Sequence, residues 1–309
     1  MNHKILKNFS NKIDSIKKSN FLVAVSGGVD SMVLASLFKF NNINFSIAHC
    51  NFQLREEDSN SDEKFVIEWC KAENVKIFVK RFNTRQYCKE NKLGIQEGAR
   101  NLRYSWFKDL FKEYRFNYIV TAHHLDDQLE TFLINATRGS GLNGLIGIPN
   151  ESNFLFRPLL DELKFDIIDY AKQNNIEYRE DISNNKNNYF RNIIRNSVIP
   201  IFKDFDDNVM LKFKTTLNNL NSTKIFVDSI IENTKKDIFI TSDKSILINI
   251  DKLKTLKPLD FFIHNLFNTY GFDYKEVIKI FDSESGKFLL SKTHKIKKSK
   301  NNLILTLND

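Results

Sequence analysis

Phe21-Leu22-Val23-Ala24-Val25 is a short apolar run, and Ser26-Gly27-Gly28 breaks it at once. Five apolar residues ended by glycines read as a strand buried on both faces. The Ser-Gly-Gly turn needs positive φ angles that only glycine adopts without strain. From Ser31 onward Met32, Val33, Leu34, Ala35, Leu37 and Phe38 read as a helix that is apolar nearly all round. A strand, a tight turn and a helix start leave backbone N–H groups aimed into the turn, which is an anion site. Ser26, Gly27, Gly28, Val29, Asp30 and Ser31 therefore form a candidate phosphate cradle. The plain alternative is an ordinary strand-to-helix turn capped by Ser26 and Ser31.

Two familiar phosphate loops do not fit. No lysine follows the glycines at the G-x-x-x-x-G-K-[ST] spacing, and G-x-G-x-x-G is absent. Asp30 in the loop is repulsive to a phosphate unless a cation lies between them, so it implies Mg²⁺ bridging to a polyphosphate. The hexapeptide Ser26–Ser31 resembles the pyrophosphate loop of the N-type ATP pyrophosphatases. ATP is then the expected nucleotide and Asp30 the expected metal ligand.

The remaining chain suggests an α/β protein. Short apolar runs at 43–48, 75–79 and 117–121 alternate with helical segments at 56–72, 94–112 and 125–137. That alternation predicts a doubly wound parallel sheet whose ligand lies at the carboxyl ends of its strands. A helix is also expected to about Lys18 and another over 162–174, with a polar loop at Asp181–Asn185. Pro200 and the acid-rich 204–207 segment suggest a boundary near 203. Residues 1–203 would be an adenylating domain. Residues 204–309 would be a smaller helical and α+β domain, with a long helix from 209 to about 234, two later helices and a β-rich tail.

With 309 residues the chain has room for two cores. No apolar run is long enough to span a bilayer, so no membrane partner is expected. The start of the chain lacks the apolar core of a signal peptide. Cys50, Cys70 and Cys88 form no C-x-x-C pair, which argues against a disulfide framework or a zinc site and fits a cytoplasmic protein. The formal charge of +8 permits a nucleic-acid partner.

Two further stretches carry chemistry. In Thr121–Thr131, Asp127 and Glu130 are spaced to share a helix face, with His123 on the same side. Ordinary electrostatics at a helix start is the plain alternative. In Gln96–Tyr104, Arg100 and Arg103 share a face and could clamp an α-phosphate or a tRNA phosphate, or simply be solvated.

These stretches occur in order with Ala48–Arg55, Arg138-Gly139-Ser140-Gly141-Leu142, Arg157-Pro158-Leu159-Leu160, Glu180–Asn184 and Arg191-Asn192-Ile193-Ile194-Arg195. Together they resemble the tRNA(Ile)-lysidine synthetase family, closely over 21–200 and loosely beyond. The His-His-x-Asp-Asp-Gln-x-Glu-Thr run followed by Arg-Gly-Ser-Gly is the specific part. The resemblance implies that ATP adenylates O2 of the wobble cytidine in a tRNA(Ile) with a CAU anticodon. Free L-lysine then displaces AMP at C2. Asp30 with Mg²⁺ would hold the leaving pyrophosphate and Arg103 would neutralise the α-phosphate. Asp127 and Glu130 would hold the lysine amine, where one could also take its proton. His123, Arg100, Arg138, Arg191 and Arg195 would bind substrate, with Arg191, Arg195 and the Gly139–Gly147 loop facing the tRNA. The 204–309 region would bind tRNA, and its Ser285–Asn308 tail, with six lysines and no acid, could contact RNA backbone or be a solvated face. A tRNA thiolase and a non-catalytic adenine-nucleotide binder sharing the fold are the competing readings.

Overall fold

The computed structural model describes residues 4–179 and 190–308. The expected loop at 181–185 and the Glu180–Asn184 motif lie outside them. The chain forms two compact units, 1–220 and 221–309.

The first unit opens with α1 (Lys4–Ile13), β1 (Phe21–Ala24), α2 (Val29–Phe40), β2 (Phe45–Asn51), α3 (Glu56–Ala72) and β3 (Lys76–Arg81). It continues through α4 (Thr84–Asn91), α5 (Ile95–Glu113), β4 (Tyr118–Val120), α6 (Leu125–Thr137), α7 (Leu142–Leu145), β5 (Glu151–Ser152), β6 (Leu155–Phe156) and α8 (Lys164–Gln173). Further along come α9 (Phe190–Ile193), a π-helical turn over Ile194–Val198 and α10 (Ile199–Phe205). The sheet order is β3-β2-β1-β4-β6-β5, parallel except for the short β5. The chain thus runs outward from β1 through β2 and β3, then returns to β1's other side as β4. That reversal opens a crevice beyond the ends of β1 and β4.

Strand β1 is buried on both faces, as its apolar run requires. Phe21 and Val23 pack with α1, α2 and α8 residues such as Phe9, Phe38 and Ile167, whereas Leu22 packs with Trp106, Phe107 and Ile119 on the other side. Two details differ from expectation. Helix α2 starts at Val29, so Asp30 lies in its first turn; and only Gly27 has a positive φ (+97°), while Gly28 is extended at −76°. Helix α4 has no clear signal in the sequence, because its polar segment buries only Thr84 and Cys88.

Helix α11 (Val209–Ile238) carries the chain beyond the acid-rich 204–207 segment into the second unit. Its early residues Met210, Phe213 and Leu217 pack with Leu125, Leu129, Ile194 and Ile199, which keeps that half of the helix in the first unit.

The second unit holds β7 (Phe239–Thr241), β8 (Ile246–Asn249), α12 (Ile250–Thr255), α13 (Leu259–Phe267), α14 (Tyr274–Phe281), β9 (Phe288–Leu290), β10 (His294–Ser299) and β11 (Asn302–Leu307). Its sheet, β7-β8-β11-β10-β9, is antiparallel throughout. One sheet face packs Ile248, Ile296, Leu303 and Leu305 against Ile263, Phe267, Val277 and Ile280. The expected α+β character holds, and α12 is the helix too short to show in the sequence. Among the described residues no helix is long and apolar enough to cross a membrane.

Candidate active site

A cavity of about 810 Å³ lies in the first unit, at the crevice between β1 and β4. Ser26, Gly28, Val29, Asp30 and Ser31 line one part of it. The turn is fastened locally: Ser26 N–H donates to Ser31 Oγ (3.1 Å), and Ser31 Oγ–H donates to the Gly28 carbonyl (2.9 Å). Because α2 begins at Val29, the N–H groups of Val29 and Asp30 precede the first helical hydrogen bonds, which run from Ser31 and Met32 to the Gly28 carbonyl. His49, 2% exposed, places Nδ1 2.9 Å from the Val25 carbonyl and so ties the end of β1 to β2. Burial lowers its pKa, so it does this as a neutral ring. An apolar part of the cavity is lined by Ala24, Ala48, Cys50, Phe52 and Phe107. Phe52 stacks on Phe82 with ring centroids 5.6 Å apart.

Asp30 has partners that the linear sequence does not disclose. Its Oδ1 lies 2.5 Å from Lys164 Nζ, and its Oδ2 lies 3.6 Å from His124 Nε2. Burial alone would raise the Asp30 pKa, but His124 and Lys164 outweigh it and hold the carboxyl at about 2. His124 is also 3.5 Å from Asp127 Oδ2, and its backbone N–H donates to that same oxygen (3.0 Å). Burial opposes charge on His124, yet Asp127 and Asp30 raise its pKa above the ordinary value. His123, by contrast, is pushed down to about 4, by burial first and by nearby arginines against the pull of Asp127. Its Nδ1 meets Thr121 Oγ1 at 2.8 Å. Both histidines line the cavity, but α6 starts at Leu125, so the helical-face argument for His123 does not apply. The neighbour His124 is the one between the carboxylates.

Asp127 and Glu130 do share a face, and both line the cavity. Their partners are ones the linear sequence does not disclose. Arg191 and Arg195, expected to face the tRNA, converge on the acid pair. Arg191 Nε lies 2.7 Å from Glu130 Oε2, Arg195 Nε lies 2.5 Å from Glu130 Oε1, and Arg195 Nη2 lies 3.1 Å from Asp127 Oδ1. Glu130 is fully buried under these guanidinium groups. The attraction between the two candidate sets is simple charge complementarity, which linear reading cannot place across 61 residues. Asp126, on the other side of the turn, pairs with Lys203.

The arginines of α5 separate. Arg100 and Arg103 both lie over the Tyr104 ring, at 4.8 and 5.2 Å, but only Arg103 lines the cavity. The Arg103 Nε is buried without a partner, whereas Arg100 is exposed. Arg138 is exposed at the end of α6 and does not line the cavity. At the phosphate loop, Arg55 and Arg179 both engage Asp62 (3.2 and 2.5 Å), and Arg179 N–H donates to the Gly27 carbonyl.

The glycine-rich 139–147 loop is shaped by a contact. Gln128 accepts from Ile148 N–H and donates to its carbonyl (2.5 and 2.9 Å), and a Cβ on Gly147 (φ +80°) would sit 2.3 Å from Gln128 Oε1. In the basic tail, Lys298 is committed to the carbonyls of Phe281 and Ser283, so it is not free for RNA.

Asp30 and Asp127 both approach His124, so two hard oxygen donors stand near the phosphate loop. Mg²⁺ is commonly held by one or two carboxylates plus phosphate oxygens, and this donor set fits it. Among the described residues no group of three or more His, Cys, Asp or Glu side chains forms a metal cage.

Comparison with known proteins gives the same outline. A PP-loop domain family model matches residues 1–202, and a TilS substrate binding domain model matches 241–308. A tRNA(Ile)-lysidine synthase from Bacteroides thetaiotaomicron is 34% identical over 287 residues, covering 92% of this chain and 66% of that one. One from Porphyromonas gingivalis is 32% identical over 286 residues, covering 91% and 62%. The chain therefore spans less than two thirds of the length of these relatives. The U34-tRNA thiolase NcsA from Methanococcus maripaludis, solved with its 4Fe-4S cluster, is similar over 70% of this chain and 78% of that one. Its TM-score is 0.58 at 14% identity, a likeness of fold.

Proposed function

This chain belongs to the PP-loop family, and from that premise we propose that it is a tRNA(Ile)-lysidine synthase. It would use ATP to adenylate O2 of the wobble cytidine in a tRNA(Ile) with a CAU anticodon, releasing pyrophosphate. The ε-amine of free lysine then bonds to C2 and AMP leaves. The observation that carries the reading is convergence: the phosphate loop, Arg103, Asp127, Glu130 and Arg195 line one cavity.

The residues divide the work. Ser26, Ser31 and the first N–H groups of α2 hold the polyphosphate. The wall of Ala24, Ala48, Cys50, Phe52 and Phe107 suits an adenine ring. Arg103, with an unpartnered Nε, neutralises the charge that builds on the α-phosphate. Mg²⁺, held by Asp30, would supply charge neutralisation for the leaving pyrophosphate. Lysine is a zwitterion with two ammonium groups and a carboxylate. The Asp127, Glu130, Arg191 and Arg195 cluster offers both signs of charge, so the arginines share the lysine site with the acids. Burial pushes the Asp127 pKa up, but His124 and His123 outweigh it and hold the carboxyl low, so it binds an ammonium well and is a poor proton acceptor. The second unit and the exposed lysines Lys297 and Lys300 would bind tRNA backbone.

Sulfur transfer is less well supported. Cys50 is the cysteine that lines the cavity, and burial pushes its thiol up to about 12, so it offers little thiolate. The deciding experiment is mass spectrometry of tRNA nucleosides after incubation with ATP, Mg²⁺ and lysine. The expected product is cytidine heavier by lysine minus water; a sulfur-for-oxygen shift would overturn the proposal.

A further inference from the structure

The phosphate loop lacks the lysine that a Walker-type loop carries just after its glycines. The fold brings one in from elsewhere. Lys164 is the first residue of α8, 134 residues beyond Asp30, and its ammonium lies 2.5 Å from Asp30 Oδ1. It is the lysine that lines the cavity, beside Ser26, Gly28 and Val29. A cation at a helix N-terminus works against the helix dipole, so its place there needs another source of stability. Asp30 supplies it. Ile167, Tyr170 and Ala171 of α8 pack in the same core as Met32, Val33 and Leu37 of α2, so both residues stand on firmly seated helices.

With Lys164 on Oδ1 and His124 beside Oδ2, a divalent cation that takes Asp30 meets a positive or hydrogen-bonding group at either oxygen. An ammonium 2.5 Å from a carboxylate oxygen occupies the space where Mg²⁺ would sit at about 2.1 Å, and the two positive charges repel. The nearest new source of negative charge is the polyphosphate in the adjoining cradle. We propose that Lys164 is a phosphate-contacting residue of the nucleotide site: when a cation takes Asp30, the ammonium transfers from that carboxylate to oxygens of the β- and γ-phosphates. Lys164 then does from α8 what the loop lysine does in other phosphate-binding folds. This inference rests on the ATP-site reading above.

The test is equilibrium binding to the full chain, with Mg²⁺ and without tRNA, using ATP, pyrophosphate and AMP as separate probes. Lys164→Met should weaken ATP and pyrophosphate by about 10- to 100-fold, the range for removing a charge-assisted hydrogen bond, and leave AMP within about twofold. Lys164→Arg should retain most of the pyrophosphate affinity. Asp30→Asn/Lys164→Met separates a phosphate contact from a mere counter-ion. Compared with Asp30→Asn alone, the double variant should still lose about tenfold or more in pyrophosphate affinity. Equal binding by those two proteins would overturn the proposal, as would loss of AMP in step with ATP. If the unsubstituted protein binds neither ATP nor pyrophosphate, the nucleotide-site reading itself fails, and this inference with it.

Discussion

The two units dispose of charge in opposite ways. In the first, Ser31, His49, Asn51, Glu63, His124, Asp126, Asp127, Glu130, Arg157 and Glu162 are all buried. Among the described residues the second unit buries no polar or charged side chain of this kind; its interior is Ile, Leu, Val and Phe. Its ion pairs, such as Lys254–Asp282 and Lys279–Glu276, lie on the surface, where they add little stability. Buried charge costs desolvation and survives only when partners satisfy it. The first unit therefore holds its charges in fixed buried partnerships, and the second leaves its charges in water.

The largest expected effect tests the chemical half of that contrast. Asp30→Asn should cut tRNA-dependent AMP and pyrophosphate formation by more than about a hundredfold, since it removes the expected cation ligand. The fold should survive, because Lys164 is 29% exposed and remains hydrated. Near-normal AMP release from the purified variant would remove Asp30 from the mechanism.

Next comes the acid–guanidinium cluster. Glu130→Gln leaves Arg191 and Arg195 without their main partner. It should lower lysine use by roughly thirty- to a hundredfold while ATP–pyrophosphate exchange persists. It should also cost on the order of 2 kcal/mol in stability, moderated because both guanidinium groups are more than a third exposed. Steady-state lysine dependence and a denaturant melt measure the two separately. Loss of exchange that extra Mg²⁺ restores would assign the pair to metal instead.

A smaller effect probes the surface half. Replacing Lys295, Lys297 and Lys300 with Gln should flatten the salt dependence of tRNA binding by up to about one logarithmic slope unit for each phosphate no longer neutralised. Lys298 is left in place because it fastens α14 to the sheet. An unchanged slope would take the tail out of the RNA interface.

The smallest effect is on stability in acid. The Asp30 pKa falls from 3.8 to about 2 on folding. A lowered carboxylate stabilises the fold above its unfolded pKa, and that contribution fades as pH drops from about 4 to about 2. The unsubstituted protein should lose stability across that window, and Asp30→Asn should lose less. Parallel acid melts would contradict the pairing.

What the sequence discloses follows how local each feature is. The cradle, the two-sided burial of β1 and the Asp127/Glu130 face are encoded within a dozen residues, so turn chemistry and helical periodicity reveal them. Arg103 is legible for the same reason. Lys164, Arg179 and the clasp of Arg191 and Arg195 depend on contacts across 61 to 134 residues, and no local pattern carries them. His124 does have a local signal: it caps α6, and a residue just before a first-turn acid is well placed to meet it. Linear spacing favours His123 only if the helix begins two residues too early.

The wide π-helical turn at Ile194–Val198 has a consequence for how this arrangement can vary. In an α-helix, residues five apart diverge by roughly 140°. Here Ile194 and Ile199 are five apart and both face the same apolar cluster, because the turn is one residue wider. It works as a phase shifter between two gear trains. Just before the turn and at its start, Arg191 and Arg195 mesh with Glu130; downstream, Lys203 meshes with Asp126. Removing a single residue from the turn would keep both sets of charges and still put the two trains out of step, so a one-residue deletion here should cost more than a substitution.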